Sequence, residues 1–71
     1  MKRATAAGPT LPTQQYRIVS PCAEYDGATL FLRASQALGH GLPKVLPAYA
    51  AGRETRPVQV PLEEVTGFEP V

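Results

Sequence analysis

From Gln14 to Ser20 the chain alternates, with Tyr16 and Ile18 on one side and Arg17 and Val19 on the other. A period of two predicts a half-buried strand. Ser20-Pro21 ends it, because proline lacks a donor and drives its predecessor into extended geometry. Next comes a polar connection, Cys22 to Gly27, closing on Asp26-Gly27, the strongest hairpin signal present. Glycine there supplies the positive φ of a tight turn or bulge.

The densest apolar run, Leu30-Phe31-Leu32, follows this turn and is the centre onto which the rest should pack. As a strand over Thr29 to about Arg33, it places Leu30, Leu32 and Ala34 on one side and Thr29, Phe31 and Arg33 on the other. Leu30, Phe31, Ala34, Ala37 and Leu38 also fit helical spacing, with Asp26 as N-cap and Gly39 as C′ residue. Short apolar runs do not separate the two periods. The favoured assignment is a strand through Arg33, then a helical turn over Ala34–Leu38 ending at Gly39. The whole Leu30-Phe31-Leu32 run, Phe31 included, is assigned to the core.

Gly39 to Pro43 is a loop by composition. The stretch 43–51 is apolar but carries Pro43 and Pro47, and is expected as an irregular lid over the core. Arg53 to Val60 predicts a third strand, Val58 and Val60 inward and Gln59 outward. Pro57 and Pro61 assign it to a sheet edge. Pro61 to Val65 predicts one helical turn, with its acids near the N-terminus. Thr66-Gly67 then turns Phe68 back onto the core. The expected fold class is thus α+β: a small three-stranded antiparallel β-sheet with one short helix. Residues 1–13 form a disordered arm, residues 14–68 a single small domain, and residues 69–71 a frayed tail.

Length and charge then narrow the function. Seventy-one residues hold one domain at most. Cys22 is the single cysteine, so no intrachain disulfide forms, and with His40 it supplies too few ligands for structural zinc. No metal and no cofactor are expected, and a monomer is favoured. The formal charge is +1, far from the basic balance of a dedicated nucleic-acid binder. No apolar run approaches membrane-spanning length, and no apolar h-region follows Lys2-Arg3. The expected location is cytoplasmic, with no membrane partner.

Catalysis finds no constellation. His40 sits between glycines without identifiable partners, and neither Ser20, Ser35 nor Cys22 lies in a nucleophile motif. Gly39-His-Gly41 lacks the Lys-Ser/Thr ending of a phosphate loop. The chain is therefore not read as an enzyme. Candidate partner-binding residues are Glu24, Asp26, Glu63 and Glu64, an acidic patch for a basic segment, and Arg53 and Arg56, a basic patch of the opposite preference. Tyr16, Tyr25 and Tyr49 are rings suited to interface edges. A second class is a small nucleic-acid-binding β-domain, with Arg17, Arg33, Arg53 and Arg56 beside Tyr16 and Phe31 as stacking platforms.

The segments Gln14-Gln-Tyr-Arg-Ile-Val-Ser-Pro21 and Arg56-Pro-Val-Gln-Val-Pro-Leu-Glu-Glu-Val65 sit in a short, Ala/Pro/Gly/Arg-rich chain with one cysteine. In these respects the whole chain resembles the small phage-encoded inhibitors and antiterminators of bacterial RNA polymerase. The resemblance implies a protein-binding transcription regulator in the host cytoplasm. Its partner would be the polymerase core, near the N-terminus of the largest catalytic subunit. It would interfere with initiation and alter termination. Because that N-terminus is basic in the resemblance, the acidic pair Glu63 and Glu64 is expected to matter more than Arg53 and Arg56.

Overall fold

The computed structural model describes residues 13–71. Five strands, one short helix and one 3-10 turn occur among them: β1 (Thr13–Val19), β2 (Thr29–Arg33), α1 (Ala34–Ala37), β3 (Val45–Ala50), β4 (Arg56–Pro61), the 3-10 turn (Leu62–Glu64) and β5 (Gly67–Pro70). They make a single antiparallel sheet of order β4-β3-β2-β1-β5. The first four strands form a meander, and β5 returns to pair with β1.

The three-stranded α+β expectation is therefore wrong: the sheet has five strands, all antiparallel, and the helix is a single turn. Two strands were missed. The expected lid over 43–51 contains β3, in which Leu46 and Ala48 point inward. Pro47 obscured that alternation, yet its missing N–H does not prevent pairing with Gln59 of β4. Glu69 and Pro70 of the expected frayed tail belong to β5, in which Phe68 pairs with Ile18 and Glu69 with Arg17. The Val71 N–H donates to the Gln15 carbonyl at 3.1 Å. The strand at Tyr16–Val19, the strand-then-helical-turn over 29–38, and the edge position of β4 lie where the pattern placed them. The expected disordered arm, Lys2 and Arg3 included, lies outside the described residues apart from Thr13, which opens β1.

One face of the sheet is buried. Tyr16 and Ile18 of β1, Leu30 and Leu32 of β2, Leu46 and Ala48 of β3, and Val60 of β4 form the core with Ala28. Ile18 and Val60 are 0% exposed, although among the described residues no second sheet or long helix stacks on that face. The cover comes from connections. The segment 62–66 leaves β4 at the end where Val45 pairs with Pro61 and reaches the opposite end of the sheet. There Val19 pairs with Gly67. Its two ends are tied down: the Leu62 N–H donates to the Lys44 carbonyl at 2.8 Å, and the Thr66 N–H to the Val19 carbonyl at 2.8 Å. Thr66 Oγ1 donates to the same carbonyl at 3.0 Å. Leu62 and Val65 thereby pack across the core, joined by Tyr25, Leu42 and Phe68. A five-stranded sheet bridged edge to edge by so short a segment must curl over its own apolar face, as small barrels do.

The connection between β1 and β2 is held as tightly. The Ile18 N–H donates to the Ala28 carbonyl at 2.7 Å, and the Gly27 N–H to the Ile18 carbonyl at 2.9 Å. Gly27 has φ 87, the left-handed region that glycine enters without cost. Asp26 Oδ1 accepts the buried Ser20 N–H at 3.0 Å, and Ser20 Oγ accepts the Cys22 N–H at 3.0 Å. At the far end of β2, Gln36 Oε1 accepts the Arg33 N–H, satisfying one donor at the start of α1.

Candidate functional site

The two sides of the sheet differ in chemistry, and alternation along the strands decides what each presents. On β2, Leu30 and Leu32 are buried, so Thr29, Phe31 and Arg33 face outward. The opposite register would bury Arg33 and expose both leucines. Two buried leucines stabilise by ~3–6 kcal/mol together, and an unpaired buried guanidinium would add a further cost. Phe31 is therefore outside, 65% exposed, and its assignment to the core is corrected. On β3, burial of Leu46 and Ala48 turns Tyr49 outward, 53% exposed. On β1, burial of Tyr16 and Ile18 turns Gln15 and Arg17 outward. Tyr16 is thus a core ring and no stacking platform.

Register brings these residues together. Glu69, Arg17, Thr29, Tyr49 and Pro57 form one row across all five strands. Phe31 lies directly opposite Gln15, and Arg17 and Tyr49 lie on its diagonals, which span about 7–8 Å in a regular ladder. Arg33 is two residues further along the same face of β2. The outer face thus carries two exposed aromatic rings between two arginines. One acid opposes them: Arg17 Nε lies 3.6 Å from Glu69 Oε1, with both side chains well exposed. Such a pair is worth ~0–1 kcal/mol and opens readily.

The covered side is acidic. Glu63 and Glu64 belong to the segment lying over the core, where Glu63 is exposed and Glu64 half-buried. The half-buried Tyr25 packs nearby. Desolvation holds its phenol above its ordinary value of 10.0, and electrostatic interaction with Glu24, Cys22 and Glu64 pushes the same way. Glu24 adjoins that ring in sequence, whereas Glu64 acts on it from the covering segment. Asp26, grouped with them from the sequence, is instead tied to the Ser20 N–H. Arg53 lies in the turn between β3 and β4, and Arg56 opens β4; both are exposed. Arg56 does not join the Arg17–Arg33 face, because it has the inward parity of Val58 and Val60.

Cys22 and His40 are not brought together. Cys22 lies in the connection before β2 and His40 in the loop after α1, at opposite ends of a five-residue strand that spans about 16 Å. Cys22 is a half-buried free thiol whose Sγ lies 4.0 Å from Glu24 Oε1. Among the described residues no three His, Cys, Asp or Glu side chains come together to hold a metal ion. A shallow apolar groove of about 270 Å³ runs between α1 and the covering segment, lined by Ala37, Leu38, Leu42, Leu62, Val65 and Phe68. It lacks the convergent polar groups that orient a small ligand. Among the described residues no helix is long and apolar enough to cross a membrane.

Comparison with protein-family models, with curated proteins and with solved structures finds no match to this chain.

The sequence under-used two residues of the outer face. Phe31 was already outward in the period-two pattern, but its size drew it into the core. Tyr49 shares the parity of Val45 and Pro47 and opposes that of Leu46 and Ala48. That alternation is visible once the proline is no longer taken as a strand breaker.

Proposed function

We infer that the chain is a protein-binding regulator of transcription that attaches to bacterial RNA polymerase, interferes with initiation and alters termination. One observation carries this reading. The covering segment, which carries Glu63 and Glu64, packs on the same core as the half-buried Tyr25, and Glu24 is exposed immediately before that ring. An amphipathic ring with acids on its own connection and on the covering segment suits a basic protein segment: the ring supplies an anchor, and the acids supply steering and register. The resemblance to small phage regulators names the partner, the N-terminal region of the polymerase's largest catalytic subunit.

The test is retention of polymerase subunits from bacterial lysate on the tagged, full-length protein at moderate salt. The double variant Glu63→Lys/Glu64→Lys should lose retention, while Arg53→Glu/Arg56→Glu should keep it. All four side chains lie outside the core, so both variants should fold. Absence of polymerase on the wild-type column overturns the reading. Loss confined to the arginine variant overturns the choice of surface.

A further inference from the structure

We propose that the outer face of the sheet, centred on Phe31 and Tyr49 and flanked by Arg17 and Arg33, binds single-stranded nucleic acid. The proposal does not rest on the polymerase reading, since it uses the opposite side of the sheet.

Four observations support it. First, two large rings stand more than half exposed on adjacent strands, although burial of such rings ordinarily stabilises a small domain. Second, each ring stands on a strand anchored from the other face, because Leu30, Leu32 and Ala48 on the same strands are core residues. Third, Thr29 pairs with Tyr49, which sets Phe31 two residues along the same face from Tyr49's partner, a diagonal that spans about 7–8 Å in a regular ladder. Successive bases of an extended strand can each cover one ring at that spacing, and such stacking tolerates any base. Fourth, the flanking charge complements phosphate: Arg17 and Arg33 bracket Phe31, and Gln15 opposite it adds an amide donor and acceptor. The acids Glu24, Glu63 and Glu64 belong to the covered side and do not oppose a strand lying here. Glu69 does, through its pair with Arg17.

A protein partner is the other class of occupant for such a face. The charge pattern favours nucleic acid, because Arg17 and Arg33 flank the two adjacent rings, while Val45 and Pro47 of β3 continue the same face as apolar surface. With two arginines on the face, affinity is modest and set mainly by stacking.

The experiment is a titration of a fluorescent oligothymidylate and an oligouridylate of equal length with the full chain, read by anisotropy at about 50 mM salt and repeated at higher salt. Wild-type protein should bind both. The log of the affinity should fall against log salt with a slope of roughly −1.4, about 0.7 for each of two phosphates. Phe31→Ala and Tyr49→Ala should each weaken binding by roughly 5- to 150-fold, the stacking contribution of one base. Arg33→Gln should weaken binding and flatten the salt slope, whereas Glu69→Gln, by freeing Arg17, should tighten it. Circular dichroism and thermal unfolding of each variant establish that the exposed substitutions leave the fold intact.

Several results overturn the proposal. No binding at about 50 mM salt does so directly, since phosphate contacts are strongest there. Binding unaffected by both aromatic variants reduces the interaction to general charge attraction, as does equal affinity for duplex. If Phe31→Ala abolishes polymerase retention while oligonucleotides do not bind, the face is a protein-docking surface. If sedimentation shows a wild-type dimer that Phe31→Ala makes monomeric, its occupant is a second copy of this chain.

Discussion

Single residues decide which side of this sheet meets solvent, and Phe31 and Tyr25 show how. Phe31 is outward because the alternative would bury Arg33 and expose Leu30 and Leu32, so its neighbours place it more than its own hydrophobicity does. The period of the sequence already contained that result. It was hidden by treating three consecutive large side chains as one block. Tyr25 shows the reverse case, in which only the fold assembles the environment. Nothing in the sequence near position 25 implicates Glu64. Desolvation raises the Tyr25 phenol above 10.0, and Glu24, Cys22 and, from the covering segment, Glu64 act in the same direction. The consequence for stability has a definite sign. The native state holds this proton more tightly than the unfolded chain, so the stabilising contribution is complete below pH 10. It is lost as pH rises through the native value. Urea unfolding of wild type and Tyr25→Phe at a series of alkaline pH values should show wild-type stability declining more steeply above about pH 10, the unperturbed tyrosine value. Parallel decline in both proteins would show that no differential protonation of Tyr25 contributes.

Elements are legible from the sequence to the extent that their stabilising contacts are local. β1, β2 and the turn at α1 sit beside their own signals: alternation at Tyr16–Val19, Asp26-Gly27, and Gly39 after the helical turn. β3 was obscured by Pro47. β5 is Gly-Phe-Glu-Pro, a composition no propensity scale would assign to a strand. Its existence depends on β1, far back in sequence, and on the covering segment that delivers it there. The candidate surfaces follow the same rule. The residues of each were visible as types, but their grouping around Tyr25 or Phe31 is a product of register and of that segment. Thr66 is the point where the segment is fastened, since its N–H and its Oγ1 both donate to the Val19 carbonyl. Thr66→Val keeps the branched shape and the backbone bond while deleting the hydroxyl bond. At an exposed position that bond contributes about 0.5–1 kcal/mol, so thermal unfolding of the variant should fall by roughly 2–8 °C. An unchanged midpoint would mean that the backbone bond alone secures the entry to β5.

Across the whole molecule the pairing is uneven, and that unevenness predicts how the sheet opens. β1 pairs with β2 over five register positions and with β5 over four, while β3 and β4 pair over six. Between these groups, β2 and β3 share one register pair, Thr29 with Tyr49. The β3–β4 hairpin is thus joined to the β1–β2–β5 group by little backbone bonding. Side-chain packing of Leu46, Ala48 and Val60 against Ile18 and Leu30 and the covering segment must supply most of the connection. Packing of this kind is less directional than a ladder, so a sub-global opening should separate the two groups before either unfolds. Native-state hydrogen exchange would detect it. Amides bonded within β1–β2 should exchange with the free energy of global unfolding, and those within β3–β4 through a lower-energy opening. Val60→Ala removes packing across the join while leaving the β3–β4 ladder intact. It should therefore lower the hairpin's opening energy by more than the hairpin's internal pairing would imply, and widen the gap between the two groups. Equal protection in both groups, with Val60→Ala lowering them together, would show that shared side-chain packing alone makes the sheet one cooperative unit.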